Sequence, residues 1–193
     1  MNKAVFIDKD GTLIPDIPYN VDPDLVDLYG GVASGLKALK DAGFLLIVIS
    51  NQSGIARGYI SEDQFRVLKD KMIELLNAAG VQLDGFFHCP HDPEGNVLPY
   101  AISCECRKPK PGMLIQAARQ WHIRLSRSWM MGDILNDVEA GKRAGCKTVL
   151  INNGGETEWK GGKFRQPDFT AADMEQAADY ILKTEYEREL GGL

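Results

Sequence analysis

The sequence has no apolar run approaching the roughly 20 residues needed to cross a bilayer, so no membrane-spanning helix is expected. Near the N-terminus, Lys3 precedes a short run, Ala4-Val5-Phe6-Ile7, that is broken at once by Asp8-Lys9-Asp10. That run is too short for a signal-peptide core, and no cleavage site follows it. A cytoplasmic protein is therefore expected. Cysteine is also scarce. There are four in 193 residues, three of them close to a histidine, and in a reducing compartment two disulfides are not expected. Excess positive charge is lacking as well: Lys and Arg total 22 against 27 Asp and Glu, a net charge of −5. No general affinity for nucleic acid or acidic membranes follows from that balance. An anionic substrate must be held by local cations or by a metal. No internal repeat or low-complexity stretch is present, and no domain boundary is visible. One domain over residues 1–184 is expected, followed by a charged, Gly-ended segment, 185–193, as a flexible tail.

What is present is ordinary in composition, 44% hydrophobic and 25% charged, and ordered in pattern. Ala4 to Ile7 reads as a strand, and Gly31 to Ala42 as a helix with Val32, Leu36 and Leu39 on one face, stopped by Gly43. Phe44 to Ile49 is apolar throughout, as in a strand covered on both sides. Ser61-Glu62-Asp63-Gln64 reads as a capping box opening a helix to about Asn77. Phe86-Phe87 predicts a short strand, Pro111 to Trp121 a helix, and Trp129 to Met131 a strand. Asn136 to Ala144 predicts a helix, Thr148 to Ile151 a strand, and Met174 to Leu182 a final helix. This alternation predicts an α/β fold with a doubly wound parallel sheet. Ligands in such sheets bind beyond the carboxyl ends of the strands. Asp8, Ser50 and Asp133, which end three of the strands, should then converge on one edge.

Asp8 and Asp10 follow the first strand directly. Two carboxylates so close, at a dry strand end, repel unless a cation sits between them, and Mg²⁺ suits oxygen donors. One carboxylate can attack phosphorus while the other handles the proton of the leaving oxygen. Ser50-Asn51-Gln52-Ser53-Gly54 follows the second strand and can donate hydrogen bonds to a phosphate. Arg107-Lys108 offers cations, and Asp133 adds a carboxylate, with Asp137 four residues on. Asp137 reads as a residue that orients a neighbour.

Cys89-Pro90-His91 and Cys104-Glu105-Cys106 supply a Cys₃His donor set, with 12 residues between His91 and Cys104. Tetrahedral Zn²⁺ takes this set and leaves no open position for catalysis. A structural zinc loop over residues 88–108 is expected, shaping the approach to the cleft and fixing Arg107 and Lys108. His88 reads as a wall residue, His122 as lying late in a helix, and Cys146 as buried packing.

Together Asp8-Lys9-Asp10-Gly11-Thr12, Ser50, Lys108 and Asp133 resemble the four motifs of the haloacid dehalogenase (HAD) superfamily of phosphatases. The Cys-x-His and Cys-x-Cys pairs are similar to the branch containing heptose-bisphosphate and histidinol-phosphate phosphatases, which lacks a lid domain. That resemblance implies Asp8 as the nucleophile that becomes an aspartyl-phosphate and Asp10 as general acid/base. Ser50 and Lys108 would stabilise the transferring group. Asp8, the backbone carbonyl of Asp10, and Asp133 would hold Mg²⁺. Asp16 to Tyr19, Ser50 to Ser53 and Arg107 would line the substrate site, and the substrate would be a small phosphorylated sugar, as in lipopolysaccharide biosynthesis. One departure stands out: Ile134 follows Asp133 where the family usually has Lys or Arg, so a substrate or phosphoryl contact is either missing or supplied from elsewhere, with Lys110 and Arg57 as candidates. The polar stretch beginning Asn152-Asn153-Gly154-Gly155-Glu156 has no evident role.

Three other functions compete. A polynucleotide 3′-phosphatase shares the Asp-x-Asp-Gly-Thr pattern but calls for a basic groove. A non-catalytic, zinc-stabilised interaction module would not require the nucleophile. A phosphotransferase would need water excluded, and the lack of a lid favours hydrolysis. A monomer with a small-molecule substrate is the simplest expectation.

Overall fold

The computed structural model describes residues 1–191; Gly192 and Leu193, the end of the expected tail, lie outside the described residues. Among these, six strands form one all-parallel sheet: β1 (Lys3–Ile7), β2 (Phe44–Asn51), β3 (Gly85–Cys89), β4 (Trp129–Gly132), β5 (Lys147–Ile151) and β6 (Phe169–Ala171). Their spatial order is β3-β2-β1-β4-β5-β6. Six α-helices connect and cover them: α1 (Val32–Asp41), α2 (Ser53–Arg57), α3 (Glu62–Ala78), α4 (Gly112–Gln120), α5 (Leu135–Ala144) and α6 (Met174–Leu190). The expected doubly wound α/β architecture is thus present.

The unbroken apolar run of β2 has a direct cause. Leu46 and Val48 join Val5, Ile7 and Met131 in a core beneath α1, α3 and α6. The residues between them, Ile47 and Ile49, join Ala4, Phe6 and Met130 in a second core beneath α4. Side chains alternate across a strand, so a strand buried on both faces has no position left for a polar residue. Each such side chain contributes roughly 1.5–3 kcal/mol on burial. α3 starts as its capping box requires: Gln64 N donates to Ser61 Oγ at 3.1 Å, and Ser61 N to Gln64 Oε1 at 2.9 Å. Phe65, Leu68, Met72 and Leu76 then bury one face of the helix.

Several local features differ from, or add to, what the sequence predicts. Residues 185–190 are not a loose tail but the last turns of α6. Glu185 is buried there, with Arg127 at 3.1 Å and Lys3 at 3.7 Å from its carboxylate. Those partners lie far away in sequence, so the local polarity of 185–190 did not reveal them. β6 had no prediction: three residues show no period, and Phe169 is placed by stacking on Tyr180, with ring centroids 4.0 Å apart. The Ser53–Arg57 segment, for which no helix is predicted, forms the short helix α2. His122 lies beyond α4, at φ 50°, and not within it.

Candidate active site

β1 sits at the middle of the sheet, where the chain first winds one way to β2 and later the other way to β4. At such a reversal the loops leaving adjacent strands part and open a crevice. Here the loops after β1, β2 and β4 do so, and a cleft of about 650 Å³ lies among them, lined by Asp8, Asp10, Lys108, Asp133 and Asn153 among others. A second groove of about 670 Å³ runs along α4 between Glu105 and Gln120. It contains no buried carboxylate or metal-type donor set.

Asp8 is fixed at the strand end by its N–H, which donates to Met131 O at 2.9 Å. Lys108 is 3% exposed and reaches in from the far side of the cleft. Its Nζ donates to Asp8 Oδ1, to Ile49 O at 2.9 Å, and lies 2.6 Å from Asp137 Oδ1. Burial lowers the pKa of this lysine, but the charges of Asp137 and Asp8 outweigh it and raise the pKa above its ordinary value. Burial raises Asp8 well above the usual carboxylate range, with the charge of Lys108 opposing and those of Asp137 and Asp133 adding to the rise. Burial also raises Asp133, to about 7, helped by the charge of Asp137. Thr12 Oγ1 donates to Asp133 Oδ1 at 3.3 Å. Gly11, at φ 78°, has no room for a side chain, since a Cβ there would lie 2.1 Å from Asp133 Oδ2.

Oxygens of Asp8, Asp133 and Asp137 all lie within 4.8 Å of one another, and all three residues are buried. Three carboxylates share one lysine, and their like charges need a further cation. The hard oxygen donors fit a magnesium-type ion.

Asp10 is turned toward β2: Gln52 Nε2 donates to Asp10 Oδ2 at 2.9 Å and to Ser50 Oγ at 2.8 Å, and Lys9 pairs with Asp10. Asn51 borders the cleft yet clasps the backbone of Lys108, with N–H···O distances of 3.0 Å in both directions. Ser53, Asp16 and Tyr19 line the cleft. Burial raises Asp16, and the charge of Asp10 adds to it. Tyr19 takes a left-handed conformation at φ 56° and packs against Tyr59 with the rings tilted by 53°, centroids 4.4 Å apart.

Arg107 is placed differently from its expectation. Its guanidinium turns to the 88–108 loop, donating to His91 O at 3.3 Å and lying 3.8 Å from Asp92. Asp92 is buried and also accepts from Arg57 Nε at 2.8 Å. Lys110 donates to Cys104 O and Glu105 Oε1, each at 2.9 Å. Neither candidate for the cation missing after Asp133 therefore stands in the cleft; a buried anion, invisible as such in the sequence, has drawn Arg57 and Arg107 away. Asp137 is the ion-pair partner of Lys108. Asn153 and Gly155, without an assigned role in the sequence, line the cleft with Asp133, and Glu156 accepts from Leu135 N at 2.7 Å. The charged and amide groups in an otherwise loop-like stretch were the one available signal.

The Cys₃His donors converge. Cys106 Sγ lies 2.9 Å from Cys89 Sγ and 3.2 Å from Cys104 Sγ, and His91 Nδ1 lies 3.3 Å from Cys106 Sγ. All four donors lie within 4.8 Å of one another, a closed soft-donor set that fits tetrahedral zinc.

A parallel sheet with this strand order, two acidic loops at its switch point and a buried lysine between them define the HAD-like hydrolases, and the chain belongs to that family as a phosphatase. The HAD-hydrolase-like family model matches residues 105–177. Over 155 residues the chain is 48% identical to the D-glycero-beta-D-manno-heptose-1,7-bisphosphate 7-phosphatase of Pasteurella multocida, covering 80% of this chain and 84% of that protein. It is 39% identical over 181 residues to the phosphatase of the same name from Escherichia coli K12, covering 94% and 88%. Among solved structures, the D,D-heptose 1,7-bisphosphate phosphatase of B. bronchiseptica, complexed with magnesium and phosphate, superposes with a TM-score of 0.76 at 29% identity, covering 94% of this chain and 99% of that one. No helix among the described residues is long and apolar enough to cross a membrane.

Proposed function

We propose that this chain hydrolyses the 7-phosphate of D-glycero-D-manno-heptose 1,7-bisphosphate. The observation that carries the reading is the assembly of Asp8, Lys108 and Asp137 beside Asp133 at the switch point, in a chain 48% identical to a phosphatase of that name. Asp8 is the nucleophile: its carboxylate oxygen bonds to phosphorus as the bond to the leaving sugar oxygen breaks. Asp10 delivers the proton to that oxygen and then takes one from the water that cleaves the acyl phosphate. Ser50 and Lys108 hold the transferring group. Phosphoryl transfer depends mostly on positioning and charge stabilisation. Asp8, Asp133 and the backbone carbonyl of Asp10 would hold Mg²⁺, which when bound offsets the negative charge of the phosphoryl oxygens. Cys89, His91, Cys104 and Cys106 would hold a structural Zn²⁺. Asp16, Tyr19, Asn51, Gln52 and Ser53 border the sugar.

One observation favours histidinol phosphate, a monophosphate, as a second reading. Among the described residues lining the cleft, the two cations, Lys9 and Lys108, are both paired with carboxylates. Phosphate release from heptose 1,7-bisphosphate, histidinol phosphate and a 3′-phosphorylated oligonucleotide separates the readings. The highest kcat/KM is expected for the heptose compound and only with Mg²⁺ present. A preference for histidinol phosphate would reassign the substrate, and turnover of none would refute the activity.

A further inference from the structure

α5 begins two residues after Asp133 with Ile134 at its N-cap, a residue without a polar side-chain atom. The first N–H groups of a helix have no partners within it and need acceptors from outside. Ile134 N finds Asp137 Oδ2 at 3.3 Å. Leu135 N is taken by Glu156, whose Oε2 accepts at 2.7 Å from the loop after β5. The other oxygen of that carboxylate accepts from the N–H groups of Glu158 at 2.8 Å and Trp159 at 3.3 Å, which fixes its direction.

Three residues earlier the same loop is tied to the other half of the site. Asn153 Nδ2 donates to Gly11 O at 2.6 Å, and Asn153 Oδ1 accepts from Gly155 N at 3.2 Å. Between these anchors Gly155 is pressed onto Asp133: a Cβ there would lie 1.9 Å from Oδ2. Further on, Arg165 donates to Asn136 Oδ1 at 3.1 Å, so the segment returns to the first turn of α5. One loop therefore holds Gly11, behind Asp8 and Asp10, and Leu135, behind Asp133.

We propose that Asn153 and Glu156 are positioning residues that bracket the Asp8–Gly11 and Asp133–Leu135 loops at a single separation and thereby set the divalent-cation affinity of the carboxylates between them. The proposal rests on the magnesium-dependent phosphatase reading. Groups that orient metal ligands from behind typically change metal affinity about 10- to 100-fold when removed.

The test uses the full chain, dialysed free of magnesium, with Glu156→Ala, Glu156→Gln and Asn153→Ala. Mg²⁺ is titrated and read by the rise in Tm, alongside hydrogen exchange at the Leu135 amide and kcat and KM with a phosphomonoester. In Glu156→Ala and Asn153→Ala the Mg²⁺ concentration for a half-maximal rise should increase about 10-fold or more, with KM little changed. Glu156→Gln, which keeps an acceptor for Leu135 N–H, should recover most of the affinity. Should Glu156→Ala fail to fold, Asn153→Ala, which leaves the cap of α5 in place, carries the same test. A Mg²⁺ midpoint unchanged in the variants, even with faster exchange at Leu135, overturns the proposal and leaves Glu156 a helix cap. Absence of any Mg²⁺ response in the unaltered chain overturns the proposal and the magnesium reading together.

Discussion

Two groups of metal-type donors stand in this protein, and they are built by opposite means. Asp8 and Asp133 each leave a different strand of the sheet, and Asp137 lies on the first turn of the helix behind one of them; all three are buried. Their places are set by β1 and β4, which are held by their ladder and by apolar cores on both faces of the sheet. Only Cys89 of the other group sits on a strand; His91, Cys104 and Cys106 belong to an irregular, half-exposed segment. Apolar burial there is slight, and Asp92 is its one fully buried residue between Pro90 and Ser103. The sheet therefore orders the carboxylates at an electrostatic cost, whereas the soft donors belong to a loop held by polar ties, Asp92 to Arg57 and Arg107 and the Asn96 and Val97 amides to Ala56 O, which a bound metal would reinforce. Chemistry and loop stability should then be separable by substitution.

The largest effect expected is on activity. Asp8→Asn removes the nucleophile and should lower kcat on the order of 10⁴-fold or more, while Tm stays the same or rises, because one of three crowded carboxylates has gone. Retained turnover would remove Asp8 from its role, and a collapse in Tm would show that its carboxylate supports the fold as well as the chemistry. Next comes Asp137→Asn, which takes away the ion-pair partner 2.6 Å from Lys108. A fall in kcat of roughly 10²-fold is expected with KM nearly constant. A change confined to KM would place Asp137 in substrate binding.

Cys104→Ser should behave in the reverse sense. A drop in Tm of roughly 5–10 °C, equivalent to ~2–3 kcal/mol for a chain of this length, should exceed any loss in kcat measured well below the new Tm. Proteolysis within residues 92–103 should accelerate. If Tm is unmoved and metal analysis finds no zinc in the unaltered chain, the soft-donor cluster is packing alone.

The smallest expected effect is on pH dependence. Asp133 has its folded pKa raised to about 7, from an ordinary value near 4. Over that interval the folded state keeps a proton the unfolded chain has lost. This contribution to stability is complete below about pH 4 and disappears as pH rises through about 7. Magnesium-free protein should therefore lose Tm between pH 5.5 and pH 8 (a window chosen to bracket the shift), and Asp133→Asn should flatten that loss. An equal decline in the variant would show that another group is responsible.

Much of this molecule is legible in its sequence. The apolar run of Phe44 to Ile49, the capping box at Ser61 and the Asp8 and Asp133 that follow their strands are local or periodic signals that stand where the pattern placed them, and Ser50 lies one residue inside the end of β2. Short-range spacing also brought Cys89, His91, Cys104 and Cys106 into one group. Contacts between residues distant in the chain were not legible. Glu185 extends α6 because Arg127 and Lys3 meet it across the fold. Arg107 leaves the cleft because Asp92 is buried beside it. Glu156 becomes the acceptor for α5 because the loop after β5 folds back over Asp133.

The division has a physical reason. Side-chain periodicity, capping and the residue that ends a strand are properties of a few consecutive positions, so the sequence alone determined the elements, their order and the edge on which the acidic residues gather. Which cation pairs with which anion depends on distance and burial, and both exist only once the sheet has closed. Only the tertiary structure decided that Lys108 serves Asp8 and Asp137, that Arg57 and Arg107 serve Asp92, and that a loop without a motif of its own spans the two halves of the site.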